Sequence, residues 1–395
     1  MRRSECGGIL PLFLISLLML LGVAALAIDA GHGFVNKARL QNALDAAALG
    51  GAKVFDTTGN ATAAEAEARA VFNATAATPG NEELEAALDD ATVAVTFSAN
   101  LVPFTPVASG SYVRVSVQGV GISNGFASAV GIGRFNLAGT AVAGPSPKLD
   151  QMCDVAPMMA CGDPGSPPAA GGTSFYGYTV GSVQMLKISA NTASTVGPGN
   201  FQLINLSGAQ GGADIRTAMA GSMDACLSEG ESTTVNTAPG NTVGPATQGI
   251  NTRFGIYKGP VSPARYPPDW VTTHDQYTLT EYQNHVQPSF NLDSYLAATS
   301  QAAINPPTTG APGRRILRIP IGNCTGTATG SSQVQLLGVG CFFLISPAQQ
   351  QGTQAQIFGQ FKEGCGGSGT PGPNPGAGFG PHVIQLYHDP GSTES

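Results

Sequence analysis

The chain changes its pattern of polarity abruptly and only once near its start. Ile9 to Ile28, "ILPLFLISLLMLLGVAALAI", contains no charged residue, and at a helical rise of about 1.5 Å per residue it spans roughly 30 Å, the thickness of a bilayer's hydrocarbon core. Beyond "DAGHGFV" the period becomes that of an amphipathic helix. Leu40, Leu44, Ala47 and Ala48 recur on one face, while Lys37, Arg39, Gln41 and Asp45 lie elsewhere. Arg2 and Arg3 precede the apolar run, so the positive-inside rule holds them in the cytoplasm and places everything after Asp29 outside it. A cleaved signal peptide is the rival reading, because Ala25-Leu26-Ala27 satisfies a small-x-small cleavage rule. The apolar run is longer than a usual signal core of about 7–15 residues, and the helical period continues past that site. The uncleaved anchor is therefore the reading taken.

Further along, "NATAAEAEARAVFNATAA" (Asn60 to Ala77) predicts a second helix and "ATVAVTFSA" (Ala91 to Ala99) a strand. In "SYVRVSVQGV", Val113, Val115 and Val117 alternate with Arg114, Ser116 and Gln118, the mark of a half-buried strand and hairpin partner of the first. "GFASAVGI" reads as a short helix and "FNLAGTAVAG" as a closing strand. A Pro/Gly/Ser-rich junction puts a boundary near Pro147. Short β-like runs follow: "GSVQMLKIS", "GNFQLINLS", "RRILRIPIGN", "SQVQLLGVGCFFLIS" and "QAQIFGQFKEG", with one helical stretch, "GADIRTAMAGSMDACL". Gly364 to His382 is too rich in Gly and Pro to pack and reads as a flexible connector, after which "HVIQLYHD" returns as an edge strand. The expected fold is α+β: an N-terminal transmembrane helix continuing into an α-β-β-α-β module, then a mainly-β, disulfide-stapled extracytoplasmic domain. Its parts are a cytoplasmic stub (1–8), a transmembrane helix (9–28), a membrane-proximal module (29–147), a β-rich domain (148–363) and a Gly/Pro-rich tail (364–395).

Ala27-Ile28-Asp29-Ala30-Gly31 followed by Arg39 to Ala52, behind a short basic start and one span, resembles the N-terminal segment of the TadE/TadG-like proteins of tight-adherence (Flp) pilus assembly. That family has an A-[IV]-D-x-G step and an R-x-x-L-Q-x-A-x-D-A-A-A-L-x-G-A helix. Leu40-Gln41 stands one residue closer to the Arg here. A weaker resemblance runs through Tyr112 to Pro147, where Phe126 to Ile132 and Leu137 to Ala143 match a short helix and closing strand. The resemblance implies a non-enzymatic, membrane-anchored component of pilus assembly, in the bacterial inner membrane with its bulk in the periplasm and other pilus-assembly proteins as partners. Small side chains let helices approach closely, so Leu40, Ala43, Leu44, Ala47, Ala48, Gly50 and Gly51 are the candidates for contact with a partner helix. Some longer TadG-like proteins carry a von Willebrand A-type domain with a D-x-S-x-S metal motif. Asp154 to Met158 occupies a comparable place, but Ala156 and Met158 replace the hydroxyl ligands, so no metal is expected.

Composition narrows the rest. Gly (53) and Pro (28) are abundant and only 11% of residues are charged, which fits a loop-rich, largely β tail. A net charge of −7 without a basic patch excludes a nucleic-acid binder. Besides Cys6, six cysteines lie past the span: Cys153, Cys161, Cys226, Cys324, Cys341 and Cys365. An even number in an oxidising compartment predicts disulfides. Local spacing favours Cys153–Cys161 and Cys324–Cys341, leaving Cys226–Cys365. The zinc alternative fails because there is no C-x-x-C pair, and His382 and His388, flanking "VIQLY", read as strand-end histidines.

Gly121-Ile122-Ser123-Asn124-Gly125 fits the G-x-S-x-G nucleophile-elbow pattern. In a chain this rich in Gly, chance supplies on the order of half a match, and the α-β-β-α-β order lacks the strand-helix alternation of a hydrolase sheet. No dinucleotide or P-loop spacing exists, and Glu5 precedes Gly7-Gly8 rather than following a pilin-type cleavage Gly. No cofactor, small-molecule substrate or enzymatic activity is expected. The alternatives are an exported surface binding module or adhesin and, remotely, a serine hydrolase using Ser123.

Overall fold

The computed structural model describes residues 9–88, 91–123, 125–130, 133–168, 173–189, 201–205, 211–223, 225–228, 233–237, 243–325, 333–351, 354–371 and 380–392. They form a mixed α/β structure behind one long apolar helix, with β-rich C-terminal sheets and three disulfides. Two compact units divide the chain: Met1–Lys53 with Ala64–Gly144 and Leu386–Ser395, and Val54–Ala63 with Pro145–Gln385.

Helix α1 (Ile9–Thr58), which belongs to the first unit as far as Lys53, runs 50 residues without interruption, about 75 Å. Its N-terminal part is long and apolar enough to cross a membrane, and a window of mean hydropathy 2.6 is wholly exposed. From Leu40 onward the exposure becomes one-sided: Leu40, Ala43, Leu44, Ala47, Ala48 and Ala52 are buried, a face repeating every three or four residues. The α2 helix (Ala61–Ala76) brings Ala64 and Ala68 against Gly51, and its Phe72 and Ala76 are buried too. A short α3 (Glu82–Ala87), which periodicity did not predict, follows.

Strand β1 (Thr92–Ser98) pairs antiparallel with β2 (Tyr112–Ile122), and β2 pairs antiparallel with β3 (Phe135–Pro145). The valine alternation of β2 slips between Val117 and Val120, where the register with β3 shifts and Gly119 takes φ +81°. This bulge returns Val120 and Ile122 to the buried face after the extra residue. Ile384–Tyr387 adds the fourth, edge strand beside β3, the return expected of "HVIQLYHD". Just beyond it, buried Asp389 accepts hydrogen bonds from the Arg114 guanidinium and, at 2.7 Å, from the Thr140 hydroxyl. Burial pushes its carboxyl up, but the hydrogen bonds from Thr140, Gly391 and Arg114 and the charge of Arg114 outweigh it and hold Asp389 below the ordinary aspartate value.

In the second unit six strands close on themselves: β4 (Met158–Gly162), β5 (Val183–Ser189), β6 (Phe201–Asn205), β7 (Ile316–Asn323), β8 (Gln333–Leu344) and β9 (Gln354–Lys362). The ring order is β8, β7, β4, β6, β5, β9 and back to β8, with the β4–β7 and β5–β6 pairs parallel and the others antiparallel. Closure satisfies strand edges that a Gly-rich, weakly charged chain would otherwise expose. Alternate residues sort to different cores. Met158, Ala160, Leu317, Ile319, Ile321, Phe342 and Phe361 join one cluster with Ile215 and Met219 of α4 (Gly212–Ala220) and Ile250 of α5 (Val243–Asn251). Phe343 and Phe358 face the other way, against Tyr277 and against Leu292 and Tyr295, residues of the helix Leu292–Ile304.

Between these clusters lies Arg315, a fully buried guanidinium. It donates to the carbonyls of Val271 (3.0 Å), Thr273 (2.6 Å), Leu344 (2.8 Å) and Ile345 (3.0 Å), and stands over the Phe254 and Phe343 rings at 4.5 and 4.6 Å. Its backbone amide, the Tyr295 hydroxyl and the Val271 amide all donate to the Asp269 carboxylate. Burial lowers Arg315 to about 10, which leaves it charged at neutral pH, and burial raises Asp269 against the pull of those hydrogen bonds.

Three sequence expectations need correction. The disulfides are Cys153–Cys226, Cys161–Cys324 and Cys341–Cys365, not the pairs that short spacing favoured. Strand register decides them: Met152 stands opposite Leu227, Cys161 opposite Gly322, and Cys341 opposite Lys362, so each cysteine meets one brought alongside by a neighbouring strand. The Pro/Gly/Ser-rich junction hides β4, whose five residues are all buried. Within the stretch expected to be a flexible connector, Gly364–Gly366 and Ser368–Pro371 are strands; 372–379 lie outside the described residues.

Candidate functional site at the foot of the long helix

The sequence singled out the region where the apolar segment ends, and the structure gives its motif a physical meaning. Asp29, the residue after Ile28, is 3% exposed. Its carboxylate accepts the backbone amides of Phe126 at 3.1 Å and Ala127 at 2.5 Å, at the start of the 3-10 turn Ala127–Val130. An added Cβ at Gly125 would stand 3.1 Å from Asp29 Oδ1, so Gly at 125 allows the carboxylate to come close. A Cβ at Gly33 would likewise lie 3.5 Å from the Phe135 ring. The small-residue step thus fastens the long helix to the turn between β2 and β3. The charged residue in "A-I-D-A-G" was legible; its partner, 97 residues away, was not.

A second polar contact sits one to two turns up the helix. His32 Nε2 lies 2.6 Å from Glu83 Oε2, and the buried Asn36 side-chain amide donates to Glu83 at 3.2 Å and to the His32 carbonyl at 3.3 Å. With its proton on Nε2, His32 donates to Glu83. Glu83 belongs to α3, which has three acidic residues in its first turn.

Of the helix-contact candidates, Gly50 and Gly51 stand against this chain's own α2, and Leu44 lies against Gly139 of β3. Leu40, Ala43, Leu44, Ala47 and Ala48 are at most 1% exposed. A Cβ at Gly51 would stand 3.0 Å from Ala68 Cβ, and one at Gly50 would stand 3.1 Å from Val71. The large hydrophobic side chains that α1 leaves exposed beyond Asp29 are Phe34 (73%) and Val35 (49%).

Other sequence candidates fall elsewhere. Ser123 is exposed, and no hydrogen bond joins it to a histidine or carboxylate among the described residues. The Asp154 carboxylate accepts from the hydroxyls of Ser222, at 3.4 Å, and Ser368. His382 lies 2.7 Å from Asp56, and His388 is exposed.

A family model described as Flp pilus-assembly TadE/G-like matches residues 7–54, the stretch that α1 occupies from the apolar run through the small-residue face. No curated protein and no solved structure matches the chain.

Proposed function

We propose that this chain, whose residues 7–54 match the TadE/G-like Flp pilus-assembly model, is a membrane-anchored, non-enzymatic scaffold of pilus assembly. The observation that carries the reading is the continuity of α1. One unbroken helix leads from an exposed apolar segment into the buried face that organises the first unit. Such a helix holds the unit at a fixed height above the membrane, as a scaffold requires. The three disulfides fit a second unit on the oxidising side, and with Arg2 and Arg3 in the cytoplasm that side is the periplasm. Because Gly50 and Gly51 stand against α2 and Leu44 against β3, the reading puts other pilus-assembly proteins on surfaces that remain exposed, Phe34 and Val35 among them.

Deletion in the native host, with surface pili counted by electron microscopy, tests this. Pili should be lost and should return with the full-length chain, but not with a version whose Ile9–Ile28 segment is replaced by a cleavable export signal. Normal pili in the deletion strain would contradict the scaffold and favour an exported binding module.

A further inference from the structure

Phe126 is 56% exposed. A lone exposed Phe is ordinary on a protein surface; the place of this one is not. Its amide is held by the carboxylate of Asp29, one residue past the apolar segment, at 3.1 Å. The next amide is held by the same carboxylate, and the Ser128 hydroxyl closes the turn onto the Gly125 carbonyl at 2.8 Å. The strands fix the direction of approach. Val113, near the start of β2, lies beside Gly51 of α1, whereas Phe135, at the start of β3, lies beside Gly33. β2 therefore descends along the helix toward Ile28, the turn stands at its foot, and β3 climbs away.

A helix advances about 1.5 Å per residue, and the headgroup layer of one leaflet is about 5–7 Å thick. If Ile28 ends the hydrocarbon span, Asp29 and the amides it binds lie inside that layer. We propose that the β2–β3 turn is a second membrane contact, a foot that inserts the Phe126 ring into the lipid interface beside the span. The contact is continuous with the apolar surface of α1, and an aromatic ring at this depth exchanges water for acyl-chain and glycerol groups. Two points of contact, a span and a foot, fix the tilt of the first unit against the membrane plane, which a single helix leaves free. This inference rests on the retained span proposed above.

The test uses the full-length chain in liposomes whose phospholipid is brominated on the acyl chain near the glycerol. Trp270 is the native tryptophan and gives the baseline. Phe126→Trp should add a blue-shifted emission that bromine quenches by about twofold or more relative to unbrominated lipid, as expected for a ring buried roughly 5–10 Å into the interface. Leu26→Trp, near the outer end of the apolar segment, reports the span. Quenching of Leu26→Trp with no quenching beyond baseline in Phe126→Trp would overturn the foot and leave the anchor standing. Quenching of neither would overturn both.

Discussion

The two units are held together by opposite means. In the first, the joints are small side chains that let backbones approach: Gly51 against Ala64 and Ala68, Ala47 and Ala48 buried on α1, and single carboxylates binding amides or an arginine. Its described residues include no cysteine. In the second, three disulfides join residues 24 to 163 apart in sequence, and a buried guanidinium satisfies four carbonyls. A helix built of Ala and Gly buries little area per residue, so its stability comes from close fit. A closed sheet built from distant, Gly-rich segments instead has a large loop entropy to overcome, which cross-links reduce.

Reduction should affect the two units most unequally. Removing the Cys161–Cys324 bridge, which closes a 163-residue separation, should cost the second unit about 4–5 kcal/mol on the chain-entropy scale. Hydrogen exchange read peptide by peptide should then show protection lost across 145–385 and kept across 64–144. Equal loss in both would mean that the first unit depends on the second. Arg315→Met comes next. It leaves Asp269 buried without its charge partner and strips four carbonyls of a donor, at about 3–5 kcal/mol. Urea unfolding followed by Trp270, which packs in the same cluster as Tyr277 and Tyr295, reads that loss.

In the first unit the decisive change is one of volume. Gly51→Leu forces α1 and α2 apart where even a Cβ would stand 3.0 Å from Ala68, and should cost about 1–3 kcal/mol. The loss should appear as faster exchange in α2 with the second unit unchanged. The smallest effect is that of pH. Asp389 is more acidic folded than unfolded, so its contribution is complete above the unfolded aspartate value of about 3.9 and is lost as pH falls through the lower, folded value. Acid unfolding of the first unit should be flat from pH 7 to 5 and then decline. Asp389→Asn should flatten that decline, and an unchanged acid limb would remove Asp389 from the account.

What could be read from the chain follows the same division. Period alone found the buried face of α1, the valine strand β2 and its neighbours, because each exposes one face and buries the other. It missed β4, where "MMACG" is buried on both sides and shows no alternation. It missed α5 because Gly244, Pro245 and Gly249 look like helix breakers, yet a Cβ at Gly249 would lie 2.3 Å from the Arg216 carbonyl of α4. The helix Leu292–Ile304 does carry a local signal, Asn291, which accepts from the Ser294 amide as an N-cap. Disulfide partners were illegible because they depend on strand register. At the foot of α1, the motif marked Asp29, but only the fold shows that it holds the β2–β3 turn.

On the proposed reading the apolar helix is retained as a membrane anchor and the cysteines beyond it are oxidised. Intact mass spectrometry of the protein from native membranes, alkylated without reductant, tests it most directly. The full-length chain carrying an adduct at Cys6 alone is the expected result. A chain shortened at Ala27, or adducts on the six cysteines from Cys153 to Cys365, would contradict it.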